Sequence, residues 1–102
     1  MHELIVGHER EIRELCRRFH VRRLDLFGSA ATERFDISRS DVDLIVSFEP
    51  LPMGEYAEAW FGLAEALAAL FGRHVDLVTE GSVRNPFLRA EIDRTRQPLH
   101  AA

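Results

Sequence analysis

The sequence predicts an α+β fold, a small mixed β-sheet with helices packed on it, and three observations carry this. Short runs with strand patterning alternate with longer runs of helical spacing. The 102 residues are 46% apolar and 29% charged, ordinary for one globular core and unlike a disordered or fibrous chain. No internal repeat, low-complexity tract or long linker interrupts them, so residues 1–102 are expected to form a single domain.

From His8 to His20, the apolar residues Ile12, Leu15, Cys16 and Phe19 recur at i, i+3, i+4 and i+7 among Glu and Arg, which predicts a surface helix with one buried stripe. Cys16 lies on that stripe as a small core residue, with nothing near it in sequence to activate a thiol. Val21 to Phe27 reads as a strand running directly into Gly28-Ser29 and a stretch, Ala30 to Arg34, with the character of a helix start. Phe35 to Ser40 is polar and breaker-rich, a loop. In the strand Asp41 to Phe48, the residues Val42, Leu44, Val46 and Phe48 alternate onto one face, and Asp41 and Asp43 share the other.

Pro50 and Pro52 stop that strand. Met53, Tyr56, Ala57, Trp60, Leu63, Ala64, Leu67, Leu70 and Phe71 then follow helical spacing, which predicts the main core helix, closed by Gly72 as its C-terminal cap. His74 to Thr79 gives a third short strand in which Asp76 is opposite in parity to Val75 and Leu77. Asn85-Pro86 supplies an N-cap and a proline at the first helical position, for a helix to about Asp93 with Leu88 and Ile92 facing inward. Pro98-Leu99-His100 adds an edge strand.

Charge and composition narrow the chemistry. Thirteen arginines and no lysine face 17 acidic residues, a net charge of -4 that argues against a broad nucleic-acid-binding surface. Schiff-base catalysis and a phosphate-binding lysine are excluded, so an anionic substrate must meet Arg, backbone amides or metal ions. A single Cys forms no internal disulfide, and the Cys/His spacing of a zinc site is absent from the sequence. The five His residues show no ligand spacing and receive no role. No apolar signal stretch follows Met1 and no run is long enough to span a membrane, so a cytoplasmic protein with neither membrane nor nucleic-acid partner is expected.

The constellation that carries chemistry is acidic. Asp41 and Asp43, two apart on a strand, leave the same face about 7 Å apart, close enough to share an ion or ion pair. At that separation and an effective dielectric near 20, two full charges repel by roughly 2 kcal/mol. Either aspartate alone fits a turn or an Arg pair. The two together with Asp76 on a neighbouring strand do not, and divalent cations would neutralise them; Mg²⁺ accepts one or two carboxylates and takes other ligands from phosphates. Gly28-Ser29 complements them, because a glycine between a strand and a helix start lets backbone amides approach phosphate oxygens, with the Ser29 hydroxyl as one more donor. Asp25, Asp36 and Asp93 lack comparable partners and read as solvated or turn residues.

Leu26-Phe27-Gly28-Ser29, then Ser40-Asp41-Val42-Asp43-Leu44-Ile45-Val46, then Val75-Asp76-Leu77-Val78 resemble the Gly-Ser, Asp-x-Asp and third-Asp motifs of the polymerase-β-like nucleotidyltransferase superfamily. Within it the chain resembles the minimal nucleotidyltransferases over nearly its whole length, down to Arg84-Asn85-Pro86 and the closing helix. The resemblance implies a mixed-sheet palm, two Mg²⁺ ions, and transfer of a nucleoside monophosphate, usually from ATP, with release of pyrophosphate. It also implies that Asp41 and Asp43 hold both metals, that Asp76 holds the metal nearer the acceptor and helps orient or deprotonate the attacking hydroxyl, and that Gly28 and Ser29 bind the β- and γ-phosphates. One departure stands out. Many members have Ala-Arg-Gly soon after Gly-Ser, whereas this chain has Ala30-Ala31-Thr32-Glu33 and a connecting loop about one residue longer, with Arg34 and Arg39 as candidates for the missing cation.

The minimal family resembles the antitoxin half of toxin-antitoxin modules whose partner is a helical HEPN-domain ribonuclease. The implied activity is adenylylation of a tyrosine on that toxin, within a hetero-oligomer. Two alternatives stand beside it: an antitoxin that neutralises the toxin by contact alone, which the altered stretch after Ser29 motivates, and a small-molecule nucleotidyltransferase, which the missing second domain disfavours. Phe61 and Phe87, off the strongest apolar stripes, are candidates for a partner surface, whereas spacing alone places Tyr56 and Trp60 in the core.

Overall fold

The computed structural model describes residues 3–31 and 41–101. Its elements are α1 (Glu3–Val6), α2 (Glu9–Arg18), β1 (Val21–Phe27), a 3-10 turn (Gly28–Ala31), β2 (Val42–Phe48), α3 (Glu55–Phe71), β3 (Val75–Thr79), a second 3-10 turn (Glu80–Ser82), α4 (Pro86–Thr95) and β4 (Gln97–Ala101). The strands form one sheet in the order β3-β2-β1-β4. β1 runs antiparallel to both β2 and β4, and β2 and β3 are parallel, joined through α3. The predicted mixed sheet is thus the observed one, and the closing edge strand is present.

Both faces of the sheet are covered, which the alternation of β2 alone does not convey. Leu24, Leu26, Val42, Leu44, Val46, Val75 and Leu77 join Ile12 and Cys16 of α2 and Leu63, Leu67 and Phe71 of α3 in the main core. Phe27, Ile45 and Ile92 form a second cluster beneath α4, flanked by Val78 and Leu88. Beyond the register shift between Val21 and Arg23, residues of odd number on β1 and β2 and even number on β3 therefore look towards α4: Asp25 and Phe27, Asp43 and Ile45, Asp76 and Val78.

The helix ends follow the sequence signals. Asn85 accepts hydrogen bonds from the Phe87 and Leu88 amides at 2.8 and 3.3 Å, with Pro86 just inside the helix. Gly72, at φ 65°, closes α3 through its amide to the Ala68 carbonyl. Cys16 is fully buried and its thiol is pushed up to about 12 by that burial, consistent with an inert core residue.

Four expectations need correction. A one-turn helix, α1, precedes the predicted first helix and buries Ile5. Met53 lies before α3 and is 99% exposed, and Tyr56 is also exposed, its hydroxyl accepting from the Leu51 amide. Spacing extends the apolar stripe to Met53, which precedes the helix, and to Tyr56, whose ring meets Phe48 edge-on at 6.4 Å at the margin of the core. Gly28–Ala31 is a 3-10 turn, and the rest of the predicted helix start, with Arg34, Asp36 and Arg39, lies outside the described residues. The fourth concerns Asp25.

Asp25 is not solvated. It is completely buried, with Arg23 donating to both its carboxylate oxygens at 3.0 and 2.8 Å and Arg96 donating to it from the far side. Arg96 also donates to Glu80, which Arg89 holds at 3.0 Å. Burial alone would raise the Glu80 pKa, but the two arginines outweigh it and lower it; the same contacts raise that of Arg96 against its own burial. A carboxylate in mid-strand was affordable here because two guanidinium groups reach it. Asp93, by contrast, is exposed as expected.

Among the described residues, no helix is long and apolar enough to cross a membrane.

Candidate functional site

Strand register builds the site. Phe27 of β1 pairs with Asp43 of β2, and Asp43 pairs with Asp76 of β3, so the end of β1 and the beginnings of β2 and β3 meet at one rim of the sheet. Parallel neighbours lie about 4.8 Å apart, and here that spacing sets two carboxylates side by side on the α4 face. Asp41 sits just before β2, at the same rim. The three sequence-predicted aspartates therefore converge, Asp43 half-buried and the other two exposed.

Their mutual repulsion is visible in Asp43. Its pKa is raised to about 6, first by burial, then by the charge of Asp76, a carboxyl-carboxyl hydrogen bond with it, and the charges of Asp41 and Glu91. No arginine among the described ion pairs reaches Asp41, Asp43 or Asp76. Hard oxygen donors crowded in this way suit a divalent ion such as Mg²⁺, so the residues present fit the metal that the motif implies.

Gly28 completes the rim. It is buried at φ 71°, and a side chain there would place its Cβ 2.8 Å from Asp43 Oδ2. Both the left-handed backbone and the missing side chain are needed for the turn to lie against the acidic cluster. The Gly28 amide donates to the Thr95 hydroxyl at 3.0 Å. Gly28 thus contributes conformation, its own amide being committed to Thr95.

Sequence reasoning passed over His74. The Val42–Val75 pairing sets it beside Asp41, and its Nδ1 lies 3.3 Å from Asp41 Oδ2 and 3.7 Å from Asp76 Oδ1. Asp41, His74 and Asp76 each offer a ligand atom within 4.8 Å of the others. The available signal was parity: His74 and Asp76 are two apart on one strand, so they share a face. Thr95 was also missed, and no local pattern identifies it, because its partner is 67 residues away.

Comparison with known proteins bears on the family and the fold. The family described as "Nucleotidyltransferase domain" matches residues 9–98. A protein adenylyltransferase, MntA, from Thermococcus cleftensis is 37% identical over 83 residues, covering 80% of this chain and 76% of the relative. A solved structure of a proposed minimal nucleotidyltransferase superposes with a TM-score of 0.75 at 32% identity, covering 94% of this chain and 93% of the other. A toxin-antitoxin crystal structure with AMP-PNP superposes with a TM-score of 0.69 at 26% identity, covering 92% of this chain and 73% of the matched one.

Proposed function

This chain belongs to the nucleotidyltransferase domain family, and from that premise we propose that it is an antitoxin that transfers AMP from ATP to a tyrosine of a HEPN-type toxin. The observation that carries the reading is the meeting of Asp41, Asp43 and Asp76 at one sheet rim against the Gly28 turn. The adenylyltransferase relative and the nucleotide-bearing toxin-antitoxin structure support the substrate and partner class. We read residues 1–102 as one minimal nucleotidyltransferase domain acting in the cytoplasm within a hetero-oligomer.

In the reaction, the acceptor oxygen forms a bond to the α-phosphorus, the bond from that phosphorus to the bridging oxygen breaks, and pyrophosphate departs with the displaced electron pair. Asp41, Asp43 and Asp76 would hold two Mg²⁺ ions, which supply positive charge for the acceptor oxygen and the leaving pyrophosphate. Asp76, the more exposed member of the Asp43 pair, would orient the incoming hydroxyl and receive its proton. Gly28 and Ser29 form the turn that holds the β- and γ-phosphates.

Incubation with labelled ATP, Mg²⁺ and the HEPN-type partner should label the partner on tyrosine, seen as added AMP by mass spectrometry. Labelling that persists in Asp43→Asn would remove the site assignment. The Ala30-Ala31-Thr32-Glu33 stretch, in place of Ala-Arg-Gly, favours one second reading, neutralisation by contact alone. That reading prevails if Asp41→Asn and Asp76→Asn protect cells from the toxin as fully as the wild type.

A further inference from the structure

We infer that Thr95 is the positioning residue for the phosphate-holding turn, an inference that rests on the role proposed above for Gly28 and Ser29. Thr95 is the last residue of α4 and is buried. Its hydroxyl donates to the Glu91 carbonyl at 2.7 Å and accepts from the Gly28 amide at 3.0 Å. Because its single proton is committed to the helix, a lone pair is what it presents to the turn, and the Gly28 amide has a fixed acceptor.

Gly28 is thereby held between two groups: Thr95 on its amide, and Asp43 against the place where a side chain would be. The next residue, Arg96, ties the same end of α4 to Asp25, three residues before Gly28. The C-terminal end of α4 therefore grips β1 and its turn at two points. A four-residue 3-10 turn has little internal stiffness of its own, so the distance between the phosphate-holding amides and the acidic cluster is set from α4. Removal of the Thr95 hydroxyl would leave the buried Gly28 amide without a partner and free the turn to move away from Asp43.

The test compares ATP with AMP, since only ATP presents β- and γ-phosphates to the turn. Calorimetry with Mg²⁺ should show the wild type binding ATP more tightly than AMP. Thr95→Val should weaken ATP binding about five- to tenfold, the range one hydrogen bond carries, and leave AMP binding unchanged, while Thr95→Ser keeps the wild-type ratio. An unchanged ATP-to-AMP ratio in Thr95→Val overturns the positioning role, as does equal weakening of both nucleotides, which marks a merely structural residue. Equal binding of the two by the wild type instead overturns the phosphate-cradle reading beneath it. Thr95→Ala compared with Thr95→Ser makes the same distinction if the valine variant does not fold.

Discussion

Asp25 and Asp43 lie on the same face of the same sheet, on neighbouring strands and beneath the same helix, yet they have opposite surroundings. Asp25 is completely buried and gripped by Arg23 and Arg96. Asp43 is half-buried, feels the carboxylates of Asp76, Asp41 and Glu91, and has its pKa raised to about 6 by burial and by Asp76. Arg23 and Arg96 neutralise the first carboxylate, whereas no arginine of the described ion pairs reaches the second. Under the function proposed above, a divalent cation would take at Asp43 the place that the guanidinium groups hold at Asp25.

The largest expected effect breaks the functional side of this contrast. Asp43→Asn should lower transfer to the proposed partner by on the order of 10²–10³-fold or more, the scale on which removing one preorganised electrostatic group acts, while the metal-free protein loses no thermal stability at neutral pH. Single-turnover labelling and a melting curve check the two halves together; a large fall in stability would make Asp43 a structural residue like Asp25.

The reverse pattern is expected at Arg96. Arg96→Ala removes one of the two arginines from Asp25 and one from Glu80, and should cost about 3 kcal/mol in denaturant unfolding, the low end of the range for breaking a buried pair, because Arg23 and Arg89 remain.

The pH dependence of stability sharpens the contrast further. A carboxyl whose folded pKa is raised stabilises the fold below its unfolded value and loses that contribution as pH rises through the folded value. For Asp43 the window runs from about 4 to about 6. Glu80, lowered by its arginines, behaves oppositely and loses its contribution only as pH falls below the usual Glu range. Between pH 5 and pH 7.5 the metal-free wild type should therefore fall relative to Asp43→Asn, by about 1 kcal/mol after allowance for solvent screening, or roughly 4–8 °C. A difference that does not change with pH would contradict the repulsion within the acidic cluster.

The smallest effect lies away from both acids. Phe61 and Phe87 are 66% and 85% exposed, as their positions off the apolar stripes predicted. Phe61→Ser and Phe87→Ser should shift the stability of the chain by no more than about 0.5 kcal/mol; weakened association with the proposed HEPN-type partner, measured by calorimetry, would place these rings at the interface.

Much of the fold was legible because its signals are local. The alternation in Asp41 to Phe48, the Asn85-Pro86 cap and the Gly72 stop each depend on residues within a few positions, and the structure has β2, α4 and the end of α3 where those signals lie. The acidic pair was legible for the same reason, since the period of a strand alone puts Asp41 and Asp43 on one face. The exposure of Met53 was not, because helical spacing does not report where a helix begins.

By itself, then, the sequence determined the four strands and the three longer helices, the Asp-x-Asp pair, the glycine after β1 and the absence of lysine. Only the tertiary structure decided that Asp76 falls in register with Asp43, that His74 stands beside Asp41, that Asp25 is enclosed by arginines, and that Thr95 holds Gly28. The physical reason is range: hydrogen-bond periodicity and capping act over a few residues, whereas charge pairing and strand register join groups that the chain keeps tens of residues apart.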